Sequence, residues 1–170
     1  MKKKEKSRKD QKPKNYAFID SQNLNRGVIS QKWELDYGKF RLMLRNKYNV
    51  TRAFLFIGYI PKNHRLYSKL QALGYILVFK NVLEIKRGNE KLYKGNVDAE
   101  LVLHAMIEFP NYDKAVIVSG DGDFFCLVEY LSKKKKLLKM IVPNQKYSSL
   151  LRDFASNIVS IQSFKGKLKK

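Results

Sequence analysis

The sequence predicts an α/β fold in which a mostly parallel central sheet is flanked by helices on both faces, a three-layer sandwich. Two observations predict it. Short apolar or β-branched runs alternate with longer segments of helical periodicity, which is the pattern of a parallel sheet covered on both sides. The chain also has 170 residues, 44% of them hydrophobic, enough to bury one sizeable core.

The elements follow in order. Strands are expected at residues 16–20, 51–59, 75–80, 114–119, 138–142 and 158–161, each a run dominated by Val, Ile, Leu, Phe or Tyr. Helices are expected at residues 37–47, 63–73, 96–108, 124–133 and 147–156, where apolar side chains recur three or four apart. Leu101, Ala105 and Phe109 show that spacing. No internal repeat interrupts the alternation.

Residues 1–14 stand apart, with eight Lys or Arg, two acids, one proline and almost nothing apolar. Such a segment buries too little surface to offset its ordering entropy, so it reads as a disordered basic arm. The body then spans 15–164, and residues 165–170 form a basic tail of similar composition.

The formal charge of +20 at pH 7 exceeds what solubility requires and draws polyanions, with nucleic acid the first candidate. A membrane is not expected as a partner, since no run of about 18 apolar residues is present. A single cysteine, Cys126, excludes an intrachain disulfide framework and a thiolate metal site, which fits a reduced, cytoplasmic setting. No apolar signal-peptide core is read at the start. The run Lys133-Lys134-Lys135-Lys136 falls where a helix should end, a place that favours cations.

In an open α/β sheet, ligands bind beyond the carboxyl ends of the strands. The first strand ends in Asp20, followed by Ser21-Gln22-Asn23, and the fourth ends in Ser119-Gly120-Asp121-Gly122-Asp123. If those strands are neighbours, Asp20, Asp121 and Asp123 converge. Two carboxylates about 4 Å apart repel by roughly 4 kcal/mol at an effective dielectric near 20, and a divalent cation reverses that sign. Oxygen donors alone favour a hard ion such as Mg²⁺ or Mn²⁺. Asp98 falls in the first turn of an expected helix, where an acid also complements the helix dipole. Asp-Gly-Asp before a helix likewise suits a turn with an N-cap.

Three motifs in order, Phe18-Ile19-Asp20-Ser21-Gln22-Asn23-Leu24, Lys94-Gly95-Asn96-Val97-Asp98 and Val118-Ser119-Gly120-Asp121-Gly122-Asp123-Phe124, resemble the NYN domain family, the LabA-like branch of PIN-like nucleases. The resemblance extends to the stretch from Ser149 to Ile158, similar to that family's last helix and strand. It implies a PIN-like, Rossmann-like sandwich and metal-dependent hydrolysis of RNA by a metal-activated water. Carried over, Asp20, Asp98, Asp121 and Asp123 are the metal-binding acids and Asn23 the accompanying catalytic-site amide. Ser119, Lys62, Arg65 and Lys94 are candidates for substrate binding, as are Tyr59 and His64 beside them. Many members carry a further acid where this chain has His104, six residues after Asp98. Six residues of helix rotate by about 240°, so His104 leaves the face of Asp98. The rival expectation is a non-catalytic nucleic-acid-binding or regulatory protein on the same fold. A phosphatase-like reading wants a general acid two residues after Asp20, where Gln22 stands.

Overall fold

A computed structural model describes residues 12–81, 83–87, 90–94 and 97–170, with backbone alone for 83–87 and 90–94. The chain opens with β1 (Asn15–Asp20), all six residues buried, and passes directly into α1 (Ser21–Ile29). α2 (Tyr37–Tyr48) is capped by Asp36, whose carboxylate accepts from the Lys39 N–H, and is closed by Asn49 at φ 52°, the left-handed conformation that Asn tolerates. β2 (Val50–Tyr59) leads through a single 3₁₀ turn at Pro61–Asn63 into α3 (His64–Ala72) and β3 (Tyr75–Asn81). β4 (Leu83–Arg87) and β5 (Glu90–Lys94) form an antiparallel pair. α4 (Asp98–Ile107), β6 (Ala115–Val118), α5 (Phe125–Lys133) and β7 (Leu137–Val142) complete the body, followed by a 3₁₀ run at Ser149–Asn157, β8 (Ile158–Ser160) and α6 (Lys165–Leu168).

Six strands pair in the order β3-β2-β1-β6-β7-β8, all parallel, with Ile19 of β1 opposite Val118 of β6 and Asp20 opposite Phe56 of β2. Because side chains alternate across a strand, each central strand feeds two cores. Ala17, Ile19, Val116 and Val118 pack with Leu24 of α1 and Phe40 and Leu44 of α2. Tyr16, Phe18, Ala115 and Ile117 pack on the opposite face with Leu101 and Ala105 of α4 and Leu127 and Val128 of α5. The expected three-layer α/β sandwich is the fold.

Three elements differ from the expectation. α1 falls where the sequence is mostly polar, because only Leu24, Gly27 and Val28, with Ser21, turn inward while the rest faces solvent. The β4–β5 pair falls where no strand was expected. The segment at 147–156 is a 3₁₀ run broken at Phe154 (φ −102°, ψ 21°) rather than an α-helix.

The closing residues, set apart by composition as a basic tail, are built into the fold. Leu168 is buried in the first core, its carbonyl accepts from the Asp36 N–H at 2.9 Å, and the Lys170 N–H donates to the Glu34 carbonyl at 3.1 Å. Of the basic arm, residues 1–11 lie outside the described residues. In the lysine run, Lys133 pairs with Glu129, while Lys136 turns inward and its Nζ donates to the carbonyls of Phe109 and Tyr112 at 2.6 Å each. Among the described residues, no helix is long and apolar enough to cross a membrane.

Candidate metal and nucleic-acid site

The strand order runs outward in one direction from β1 through β2 to β3, and in the other through β6, β7 and β8. The connections therefore reverse between β1 and β6, and an open parallel sheet leaves a crevice at such a switch point beyond its strand ends. Asp20 ends β1 at that point. It is 5% exposed, and its Oδ1 accepts from the Gln22 and Asn23 N–H groups at 3.1 and 3.0 Å, capping α1.

The partner strand is tied to it through side chains. Asn23 Oδ1 accepts from the Gly120 N–H at 2.9 Å, locking the first turn of α1 to the loop after β6. Ser119 is wholly buried. Its Oγ accepts from the Asp121 N–H at 3.2 Å and donates to Asp20 Oδ2 at 3.5 Å. Asp121 Oδ1 accepts from the Asp123 N–H at 3.1 Å, which starts the 3₁₀ turn leading into α5. Gly122 in that turn lies so close to Ser148 that a Cβ there would overlap the serine side chain.

These elements bring three carboxylates together. Asp98, in the first turn of α4, and Asp121 and Asp123 each offer an oxygen within 4.8 Å of the others, and only Asp123 is fully exposed. Asp20 stands beside this group, on the strand parity of Tyr16 and Phe18 and hence on the face that α4 covers. Burial holds the Asp20 carboxyl above the ordinary carboxylate pKa. The Asn23 and Gln22 N–H groups oppose that shift, while the charges of Asp98 and Asp121 add to it. A cleft of about 740 Å³ opens over the site, lined by Asp20, Asn23, Asp98, Gly120 and Asp121 and extending to the ends of β2 and β7.

A family model for the NYN domain matches residues 15–162, the span that carries every one of these groups. The chain belongs to the NYN domain family. Over 160 residues it is 24% identical to the low amplitude and bright protein LabA of Synechococcus elongatus, covering 90% of this chain and 86% of the relative. The crystal structure of a protein of unknown function from Vibrio parahaemolyticus superposes with a TM-score of 0.73 at 27% identity, over 95% of this chain and 98% of that one. NYN domains are a family of PIN-like nucleases, and this fold and its acidic group fit that family.

Within this NYN domain, the residues expected at the site are placed as follows. Asp98, Asp121 and Asp123 come together, with Asp20 and Asn23 adjoining them. Ser119 faces inward and braces two of the acids rather than the cleft. Lys62 and Arg65 are exposed beside the cleft, whereas Asn63 and Leu66 of the same segment line it. The side chain of Lys94, and Gly95 and Asn96 after it, lie outside the described residues. His104 packs on the sheet instead, its ring set edge-on to Phe56 at 5.6 Å. Tyr59 and His64 meet edge-on at 6.1 Å, beside Phe79 and Tyr67. Sequence reasoning missed Arg26, Asn144 and Lys146, which also line the cleft. Asn144 and Lys146 follow the end of β7, so the same rule that selected Asp20 and Asp121 points to them.

Proposed function

We propose that this NYN domain is a metal-dependent ribonuclease that hydrolyses RNA phosphodiester bonds. The observation that carries the reading is the convergence of Asp98, Asp121 and Asp123, whose oxygens lie within 4.8 Å of one another. Three acids so close repel unless a cation joins them, and an all-oxygen donor set fits Mg²⁺ or Mn²⁺. When bound, such an ion supplies positive charge at the phosphoryl oxygens and activates the attacking water.

The chain's own residues do the rest. Asp98, Asp121 and Asp123 would hold the ion. Asp20 adds negative charge behind them, and as N-cap of α1 it is held in one place. Asn23 fixes the distance between α1 and the β6 loop through its bond to Gly120, and the buried Ser119 hydroxyl links Asp20 to the backbone of Asp121. Preorganisation of this kind removes reorganisation from the chemical step. Lys62 and Arg65, exposed at the rim, attract the RNA backbone. Residues 15–164, with the closing segment 165–170 packed onto them, constitute the nuclease domain, the arm at 1–14 adds affinity for phosphates, and an exposed Cys126 thiol suits a reducing cytoplasm.

The test is incubation of the purified protein with a labelled RNA containing single-stranded and hairpin segments. Cleavage with Mn²⁺ or Mg²⁺ that EDTA abolishes is the expected result. Tight RNA binding without cleavage under either ion would instead establish a binding protein on the same fold.

A further inference from the structure

We infer that the cleft has a base-binding end and a phosphate-binding end, with the carboxylates between them, so that it takes an RNA strand in which one base is unpaired and turned inward. The inference rests on the ribonuclease reading above. The sheet order places the ends of β2 and β7 on opposite sides of Asp20 and Asp121. At the β2 end the cleft wall is Ile57 and Ile60, with Leu66 of α3. Leu66 is 43% exposed, so its side chain is accessible from the cleft. This wall is preformed. The Tyr67 hydroxyl accepts from the Ile60 N–H at 2.8 Å and lies 3.2 Å from the carbonyl oxygens of Gly58 and Ile60, so the chain leaving β2 is pinned to α3.

The β7 end is different in kind. Lys146 follows β7 there, and Arg26, the chain neighbour of Gly27 in α1, lines the same cleft. α1 is held over this end because Gly27 lets it approach Pro143, where a Cβ would come within 2.5 Å, and because Gln31 Nε2 donates to the Pro143 carbonyl at 2.6 Å. Within the lining itself, cations and apolar side chains thus lie at different ends, with Lys62 and Arg65 on the rim outside the apolar wall. A nucleotide divides the same way, into a phosphate that requires cations and a base whose flat face is apolar. A base stacked within a duplex has both faces covered and cannot reach Leu66, whereas an unpaired base can, and Asn63 on the same wall offers an amide to its edge.

The experiment measures fluorescence anisotropy in EDTA, so that binding is read without cleavage, using a short labelled single-stranded oligoribonucleotide and its fully abasic counterpart. Leu66→Asn should weaken binding of the intact strand roughly tenfold, the scale of one base contact, and leave the abasic strand unchanged. Arg26→Ala should weaken both alike and lower the dependence of log Kd on log salt by about 0.7. Equal effects of Leu66→Asn on the two strands, or none on either, would overturn the inference. Because the readout is binding, a protein that discriminates the strands through Leu66 yet never cleaves RNA would refute the nuclease reading alone. One that cleaves RNA without this discrimination would refute the base-binding end alone.

Discussion

Asp20 shows how much one residue carries. It is the last residue of β1, the N-cap of α1 and the acid adjoining the cluster of Asp98, Asp121 and Asp123, and these roles conflict energetically. A buried carboxylate close to Asp98 and Asp121 is held above its ordinary pKa, so the folded state binds the proton more tightly than the unfolded chain does. Ionised Asp20 therefore lowers stability above its raised pKa, and stability is regained as pH falls towards the unfolded value near 3.8. Asp20→Asn keeps an acceptor for the cap and removes the charge. In metal-free protein at neutral pH it should raise Tm by roughly 2–4 °C while reducing cleavage, with the gain in Tm shrinking as the pH drops through that window; thermal melts across pH check it. A lower Tm for the variant at neutral pH would show that the cap, not the charge, dominates. Asn23 has no such conflict. Asn23→Ala removes the acceptor of the Gly120 N–H and should lower metal affinity by about 10- to 100-fold, measurable by Mn²⁺ titration, as loss of a supporting hydrogen bond does.

The elements of the sheet were legible in the sequence because β1, β2, β3, β6 and β7 are apolar runs that nothing but a covered sheet would use. α1 was not, for a physical reason. It packs through only Leu24 and Val28 with Gly27 between them, and its start is fixed by a cap that is itself a site acid. The β4–β5 pair carried only a partial signal that went unread, since Leu83-Glu84-Ile85-Lys86 alternates apolar and charged residues and a Gly-Asn pair follows two residues on, while Glu90-Lys91-Leu92-Tyr93-Lys94 does not alternate. At 147–156 the apolar spacing was present, but Ser148 and Leu150 are held against Gly122, and the backbone there follows the β6 loop rather than its own periodicity. The fit of Gly122 against Ser148 is testable. Gly122→Ala forces a Cβ into Ser148 and should destabilise the protein by about 1–3 kcal/mol in urea unfolding, and Gly122→Ala combined with Ser148→Gly should recover most of it.

At the scale of the molecule, charge and chemistry are separated. The carboxylates cluster at one point of the sheet edge in a chain whose formal charge is +20. On the ribonuclease reading, the field of the chain gathers the polyanion and the acids meet it only with a cation. The strand ends made Asp20, Asp121 and Asp123 readable as one group, and Asp98 joined them only through the resemblance of three ordered motifs to the NYN family. Lys146 follows a strand end and could have been read by the same rule, whereas Arg26 was hidden because its place depends on how α1 lies over the cleft, which no spacing reveals. On the same reading the arm serves gathering and not cleavage. Deleting residues 1–14 should weaken RNA binding and flatten its salt dependence by about 0.7 for each phosphate that the arm neutralises, and should leave the cleavage rate of saturated enzyme unchanged. A fall in that rate would assign the arm to the site itself.

The most direct test of the whole account is the single-turnover cleavage rate of a labelled RNA in Mn²⁺ by the native protein and by Asp121→Asn, with the RNA affinity of each measured in EDTA. The account predicts a rate loss of about 100-fold or more with affinity unchanged or slightly improved. Undiminished cleavage by Asp121→Asn would contradict it, and would remove the carboxylate cluster from the chemistry of this protein.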